Sequence, residues 1–255
     1  MWEDMILLVA IGFAAQVIDG ALGMAYGVTA ATMLLSLGVP PSVASASVHA
    51  AEVLTSGASG AAHWRLGNVD RRLLGRLALG GAVGGAAGAL VLTASSGPLI
   101  RLFVSVYLLL MGGIIIWRAV RPRRDDSSTR HLAATPRHLA SLGVVGGFLD
   151  AIGGGGWGAM VTSTLIGRGV MPRLAIGSAN LAEFVVAAVV TATFVTTIGL
   201  ELWPVIIGLV VGGVVAAPFA ALITRSLPDR PLMLLVGMVI VLLSLRGLAL
   251  YIESA

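Results

Sequence analysis

A segment of 34 residues in the first half of the chain occurs again in the second half, 131 positions later. Asp19 aligns with Asp150, and the alignment runs without a gap to Glu52 and Glu183. Eleven of the 34 positions are identical, although chance matching in a chain this rich in small and aliphatic residues would give roughly a tenth. The repeat predicts two homologous halves that each place acidic residues and glycines in apolar surroundings.

The composition indicates that these halves lie in a membrane. The 255 residues are 57% hydrophobic and 11% charged, with a mean hydropathy of +0.98, whereas a soluble domain has about a quarter charged residues. The 34 glycines suit closely packed membrane helices. Because the chain has no cysteine, disulfides, thiolate catalysis and cysteine-metal sites are excluded.

The net charge of +4 does not indicate a nucleic-acid partner. All 16 basic residues are arginines, and most of them fall in short polar breaks between apolar segments. This distribution is typical of the cytoplasmic loops of membrane proteins. We therefore predict a multi-pass protein of the cell inner membrane, with the lipid bilayer as its surroundings.

Two apolar segments, 5–37 and 139–167, are longer than the about 20 residues that one span needs. Asp19 and several glycines interrupt the first segment, and Asp150 and four consecutive glycines interrupt the second. We expect each segment to form two half-length helices joined by a glycine-rich turn at membrane depth. Such irregular backbone is tolerated where protein or a water-filled cavity surrounds it.

If each long segment leaves the membrane on the side that it entered, the arginines of 65–76, 118–137, 168–173 and 225–230 all face the cytoplasm. The sequence then predicts an all-α polytopic membrane protein of two inverted repeats, each a re-entrant helical hairpin plus three transmembrane helices. The first repeat covers 1–120, a cytoplasmic linker covers 121–137, and the second repeat covers 138–255. Eight plain spans in parallel repeats are the alternative.

Asp19 and Asp150 each precede a glycine-rich turn, and two interpretations remain open for them. As N-caps they would accept hydrogen bonds from the first N–H groups of the following half-helix. As proton or counter-ion sites they would have a functional role, since ionisable groups inside a membrane are costly and mark ion or substrate pathways. Beside an anionic substrate they would need to be protonated, which is one route to proton coupling.

The glycines offer backbone N–H groups that a ligand can approach closely, and the starts of half-helices favour an anion. Close helix packing alone is the alternative explanation for them. On this basis we predict a substrate site at the midplane between the repeats, formed by Gly23, Tyr26, Ser47, His49, Gly153, Gly154, Gly155, Gly156, Trp157, Ser178 and Asn180.

His49 and Glu52 share one face of a helix, as do their counterparts Asn180 and Glu183. A histidine and an acid at this spacing can be half of a metal site, but the second copy lacks the histidine, so we predict no metal site. Glu52 and Glu183, with the two aspartates, are predicted as proton-coupling or structural acids. No nucleophile motif is present, so we predict neither an enzyme nor a cofactor.

These features together resemble the sulfite exporter TauE/SafE family of bacterial membrane permeases. The resemblance covers nearly the whole chain and is carried by the aspartate followed by glycine-rich sequence, at 19–27 and 150–158, and by the Gly-Val-x-Pro breaks at 38–41 and 169–172. The first glycine-rich segment departs from the pattern by having fewer glycines than the second.

The resemblance implies transport of small sulfur-containing anions, such as sulfite, thiosulfate or organosulfonates, across the cytoplasmic membrane. A permease for cations or metals that uses the intramembrane acids as ligands is the alternative. The sequence is compatible with export and import, with proton coupling and facilitated diffusion, and with a monomer and a homodimer.

Overall fold

The computed structural model describes residues 2–22, 24–95, 98–120, 136–199, 203–226 and 229–254. Within these ranges the chain is helical and contains no β-strand, which confirms the predicted all-α fold. The helices are α1 (Trp2–Leu22), α2 (Tyr26–Ser36), α3 (Pro41–Arg65), α4 (Arg71–Ala94), α5 (Pro98–Val120), α6 (Pro136–Gly153), a π-helical turn (Gly158–Thr162) that continues into α7 (Ser163–Gly167), α8 (Pro172–Ile198), α9 (Trp203–Ser226) and α10 (Asp229–Ser254).

Four of the described helices are long and apolar enough to cross a membrane: Arg71–Ala94, Leu99–Val120, Pro172–Ile198 and Arg230–Ala249. This confirms a multi-pass membrane protein. The two long segments that were predicted to break do break, and their arms are among the shorter apolar helices. Three full spans in each half would also require α3 and α9 to cross, and that count stays a prediction. The predicted linker, 121–137, lies almost entirely outside the described residues.

The Gly-Val-x-Pro breaks form the same helix-to-helix connection in both halves. Gly38 and Gly169 have φ values of 85° and 84°, and the valine that follows each donates its N–H to the carbonyl five residues earlier at 3.1 Å. This is the hydrogen bond of a helix C-terminus that ends in a left-handed glycine. Pro41 and Pro172 then begin α3 and α8, where a missing N–H costs nothing.

The second long segment turns back on itself between α6 and α7. A Cβ on Gly146 would lie 2.6 Å from Cγ2 of Val161, and the carboxylate of Asp150 accepts the backbone N–H of Trp157 at 2.9 Å. The pairing of 146 with 161 and of 150 with 157 shows two arms that run in opposite directions. The turn between them uses φ values of 72°, 150° and 133° at three successive glycines, 154 to 156, which only glycine adopts readily.

Corresponding helices of the two halves meet in antiparallel pairs. Along α3 and α8, Gly57 contacts Phe184 and Gly60 contacts Leu181, so the partner's number falls as the chain advances. The pair α5 and α10 behaves in the same way. The remaining large contacts cross between halves, with α1 on α9 and α6 on α4. Exchanging the two halves therefore reproduces these helix pairs, although α4 packs more extensively on α8 than α9 does on α3.

Glycines allow α4 and α6 to touch backbone to backbone. A Cβ on Gly84 would collide with the carbonyl oxygen of Val144, and a Cβ on Gly88 would lie 2.5 Å from the carbonyl oxygen of Phe148. Small residues at such positions let membrane helices gain van der Waals contact along their whole length. This contact anchors the second hairpin against the body of the first half.

Candidate functional site

The turns of the two hairpins meet at the centre of the helix bundle. A Cβ on Gly27 would lie 2.6 Å from Cα of Gly155, and a Cβ on Gly158 would lie 3.1 Å from Met24. The hydroxyl of Tyr107, on α5, donates to the carbonyl oxygen of Gly155 at 2.9 Å. The two irregular segments are therefore held against each other and enclosed by helices.

Each hairpin aspartate accepts hydrogen bonds from the half-helix that follows it. Oδ1 of Asp19 accepts the N–H groups of Ala25 at 2.8 Å and Tyr26 at 3.1 Å, and Oδ1 of Asp150 accepts that of Trp157 at 2.9 Å. Tyr26 and Trp157 are aligned positions of the repeat, so the same cap occurs twice. An anion at these helix starts would therefore compete with a carboxylate for the amides that it needs.

A cavity of about 270 Å³ lies beside the meeting hairpins, and both halves contribute to its wall. We call it the hairpin cavity. Six of the predicted site residues line it: Asp19, Tyr26, Glu52, Gly156, Asn180 and Glu183. The sequence prediction missed its remaining lining, which is Gln16, Met24, Ala25, Gly27, Val28, Thr55, Ser56, Ser59, His63, Gly158 and Ile176.

The other predicted residues that the structure describes lie behind this wall. Ser47, His49, Trp157 and Ser178 are completely buried. Ser47 donates to the carbonyl of its own helix at 2.8 Å, the Trp157 indole N–H donates to the carbonyl oxygen of Ala179 at 3.0 Å, and Ser178 accepts a backbone N–H at 2.9 Å. These contacts support the helices that form the cavity. Gly23 lies outside the described residues.

Within the second glycine run, only one residue reaches the cavity. A Cβ on Gly153 or on Gly156 would collide with Tyr107, one on Gly154 would lie 2.8 Å from Ala31, and one on Gly155 would collide with the backbone of the first hairpin. The close-packing explanation therefore describes Gly153, Gly154 and Gly155, while Gly156 both packs and lines the cavity.

The hairpin cavity is acidic. Three carboxyl groups, those of Asp19, Glu52 and Glu183, line it, and no arginine does so among the described residues. Oε2 of Glu52 is buried without a hydrogen-bond partner. Burying an ionised carboxylate without a partner costs several kcal/mol, on the order of the penalty per ion in real proteins. A cation satisfies this site directly, whereas an anion requires that protons neutralise the carboxylates first.

A histidine–aspartate pair joins the two halves behind the cavity wall. Nε2 of His49 lies 3.2 Å from Oδ2 of Asp150, and Nδ1 of His49 lies 2.8 Å from the carbonyl oxygen of Ser45. A carbonyl only accepts, so Nδ1 must carry a proton. The contact at Nε2 is then a hydrogen bond only when a second proton resides on the imidazole or on the carboxyl group. The pair therefore links the two halves through fully buried polar atoms.

The same pair lies close to a third possible ligand. His49, Glu52 and Asp150 each offer one atom that could bind a metal ion, and these three atoms lie within 4.8 Å of one another. All three residues are buried. Nitrogen and carboxylate oxygen ligands suit transition metals such as Zn²⁺ and Mn²⁺. Helical spacing places His49 and Glu52 on one face of α3, and the fold adds Asp150 from the other half as a third possible ligand.

Beyond Glu52, which aligns with Glu183, the polar residues that recur along the cavity face of α3 have apolar counterparts in the second half. Glu52, Ser56, Ser59 and His63 recur at helical spacing along one face and line the hairpin cavity. The residues aligned with the last three are Ala187, Val190 and Phe194, and all of them are buried. One face of α3 therefore lines an open polar cavity, whereas the aligned face of α8 is buried and apolar.

Arg118 is a residue that the sequence analysis assigned to a cytoplasmic break and that instead reaches the hairpins. Its guanidinium donates to the carbonyl oxygen of Ala159, in the π-helical turn, at 2.8 Å and to the sulfur of Met24 at 3.4 Å. It is half-buried and bridges both hairpins next to the cavity. Its place inside the apolar span of α5 was the available signal.

Comparison with known proteins agrees with this architecture. The profile of the family "Sulfite exporter TauE/SafE" matches residues 8–247. The "Probable membrane transporter protein YtnM" of Bacillus subtilis (strain 168) is 39% identical over 249 residues, which are 96% of this chain and 83% of that protein. No solved structure matches the chain. The family consists of membrane transporters and not of enzymes, as predicted, and the chain belongs to the sulfite exporter TauE/SafE family.

Proposed function

We propose that this transporter moves a small sulfur-containing anion (sulfite, thiosulfate or an organosulfonate) through the hairpin cavity, together with protons. The observation that carries the proposal is the position of the cavity where the two hairpins meet, with Glu52 and Glu183 from aligned positions of the repeat both in its wall. The family description supports a sulfur oxyanion as substrate.

The charge of the lining explains why protons are needed. A doubly or singly charged anion beside three carboxylates would be repelled by on the order of several kcal/mol in a low-dielectric site. Protonation of Glu52 and Glu183 removes that repulsion and turns each carboxyl group into an O–H donor. The hydroxyls of Thr55 and Ser56 already donate to the carbonyl oxygen of Glu52. Ser59 accepts a hydrogen bond from the Asn180 amide at 2.9 Å, so its own O–H can donate to an oxyanion in the cavity.

The antiparallel contact of corresponding helices supports inverted repeats, in which the two halves cross the membrane in opposite senses. The hairpin cavity extends to His63, near the end of α3 that precedes the arginine-rich segment 65–76. In the predicted topology that end faces the cytoplasm. We infer that this structure shows a state whose cavity is directed toward the cytoplasmic side.

A cation permease is the second candidate, because His49, Glu52 and Asp150 provide a ligand set within 4.8 Å next to an acidic cavity without arginine. In this case ionised carboxylates hold the cargo directly. The anion transporter and the cation permease differ in which ligand stabilises the protein against unfolding. They also differ in the sign of the charge on the transported ion.

The test is the unfolding midpoint of purified full-length protein in sulfite, thiosulfate, methanesulfonate, acetate, Mn²⁺ and Zn²⁺ at constant ionic strength, because a ligand that binds the folded state raises the midpoint. We expect sulfur oxyanions to raise it, and more at pH 6 than at pH 8. Asn180→Ala should abolish the rise, and Ser141→Ala, on an exposed part of α6, should not. Stabilisation by a divalent cation alone, lost in Glu52→Gln, would replace the anion proposal with the cation permease.

A further inference from the structure

A second cavity, of about 400 Å³, lies between α2, α5 and α10 and differs from the hairpin cavity in charge. We call it the arginine pocket. Two arginines, Arg101 and Arg246, line it, and none of its described lining residues is acidic. Its full lining is Thr32, Leu35, Ser36, Gly38, Val39, Arg101, Ser105, Leu108, Leu243, Ser244, Arg246, Gly247 and Tyr251.

Neither guanidinium of the arginine pocket is neutralised within the part of the chain that the structure describes, where Arg101 and Arg246 have no ion-pair partner. Both arginines are exposed and lie near the ends of helices that are long and apolar enough to cross a membrane. Arginines at such positions extend toward the membrane surface. The two guanidiniums therefore present two positive charges at one cavity to a ligand that enters from that surface.

A buried hydroxyl in the same pocket also lacks a partner. Ser244 is 4% exposed, and its Oγ has no hydrogen bond, whereas Thr32 and Ser36 already donate to carbonyls of α2 at 2.6 and 2.7 Å. A buried hydroxyl without a partner is destabilising. The hydroxyl and the two guanidiniums can all donate, so a ligand with acceptor oxygens suits the pocket.

The two cavities lie toward opposite ends of α3. The arginine pocket contains Gly38 and Val39, directly before that helix, and the hairpin cavity contains His63, near its end. The wall of the arginine pocket includes Thr32, Leu35 and Ser36, which belong to α2, the second arm of the first hairpin. The pocket therefore borders the first hairpin near the end of α3 that is opposite to His63.

We propose that the arginine pocket is a binding site for an oxyanion of the sulfonate, sulfate or phosphate type. Guanidinium groups present paired N–H donors that match the oxygens of such groups. Two sources carry this chemistry: the transported sulfur anion on the side of the membrane opposite to the hairpin cavity, and the phosphate of a lipid headgroup. Only the first of these sources rests on the proposed function.

The test uses the absence of cysteine from the chain. Ser105→Cys places one thiol in the arginine pocket, and Ser59→Cys places one in the hairpin cavity as a separate report on the proposed function. The rate of labelling by N-ethylmaleimide is measured on the full-length protein in phosphatidylcholine nanodiscs, with sulfate or methanesulfonate against chloride at equal ionic strength. A bound ligand slows labelling by the factor 1 + [L]/Kd, about tenfold at ten times Kd.

We expect sulfate or methanesulfonate to protect Ser105→Cys, and we expect Arg101→Gln with Arg246→Gln to remove the protection. Arg71→Gln with Arg72→Gln removes the same charge from exposed positions outside the pocket and should leave protection intact. If phosphatidylglycerol protects the thiol without added sulfate, and does so only with both arginines present, the site is an oxyanion site occupied by lipid.

The proposal is overturned if no probe protects the thiol, or if the glutamine variants are protected as well as the parent. Should the glutamine pair fail to fold, Arg101→Lys with Arg246→Lys provides the comparison. That pair keeps the charge but loses the paired donors, and protection must then weaken severalfold. Undiminished protection there would also overturn the proposal. Protection at Ser59→Cys alone would support the proposed function and contradict the arginine site.

Discussion

The carboxylate of Asp150 lies 3.2 Å from Nε2 of His49, and this contact joins the hairpin of one half to the long helix of the other. The same carboxylate uses its second oxygen to cap the half-helix that begins at Trp157. One buried side chain thus sets both the direction of the hairpin and its distance from α3. Removal of either partner leaves the other polar group buried and unsatisfied.

We predict that His49→Ala and Asp150→Ala each lower the free energy of unfolding by about 3–5 kcal/mol, as expected when one member of a buried pair is removed. The double variant should lose clearly less than the sum of the two, because the pair is lost only once. Unfolding midpoints in detergent measure this cycle. Additive losses would show that the two residues are not coupled. Asp70→Ala, which removes only the exposed cap of α4, should cost about 1 kcal/mol.

The contact between the hairpin turns predicts that Gly155→Ala abolishes transport. Its φ of 150° and the collision of a Cβ with the first hairpin act together, so the turns must separate. Gly67→Ala is the matched control, because Gly67 also has a positive φ, of 71°, but an added Cβ would meet nothing within 4 Å. We expect that control to lose about 1 kcal/mol of stability from backbone strain and to keep transporting. Equal transport by both variants in proteoliposomes would contradict the role of this contact.

The glycine contact of α4 with α6 makes a stability prediction. Gly84→Ala should destabilise the protein by about 1–3 kcal/mol, the usual cost of overpacking, because its Cβ would meet the carbonyl of Val144. Gly75→Ala, on the same helix with open space, should be neutral or stabilising by up to about 1 kcal/mol because alanine favours helix. The unfolding midpoints of the two variants test this difference in stability. Equal midpoints would count against tight packing at Gly84.

Because Arg118 bridges the two hairpins, we predict that its replacement impairs transport and that a lysine, which restores only the charge, does not fully restore it. Arg118→Gln should lower transport at least about tenfold if the bridge to Ala159 and Met24 contributes about 1.4 kcal/mol or more to the active arrangement. Arg118→Lys keeps the charge but lacks the planar set of donors and should recover only part of the rate. Arg76→Gln, a neutralisation away from the hairpins, is the control. Full activity of Arg118→Gln would assign this residue to the surface.

Much of this fold could be predicted from the sequence because the signals are local and repeated. Hydropathy identifies helices that must satisfy their own backbone in lipid, and the left-handed glycines with their following prolines end and begin helices in the same way in both halves. The aspartates before the glycine runs predicted hairpins, and the structure places each aspartate on the helix start that the capping interpretation requires.

The site could be predicted only in part because its wall comes from several helices. Glu52, Glu183, Asp19 and Asn180 line one cavity, and all four were among the residues predicted from the repeat. Helical spacing does not show that Trp157 and Ser178 point away from that cavity. Nor does it reveal that Arg118 extends from the end of α5 to the hairpins. Such contacts depend on the rotation of each helix about its axis, which neighbouring helices set.

The sequence by itself determined the membrane environment, the two halves and the positions where each long segment breaks, because these follow from hydropathy, from repetition and from the backbone preferences of glycine and proline. Only the tertiary structure decided which of the aligned positions line the open cavity. His49 contacts Asp150 behind the cavity wall whereas the aligned Asn180 lines the cavity, and Phe194 is buried whereas the aligned His63 lines it. Side-chain volume and polarity at aligned positions therefore distinguish halves that share one backbone plan.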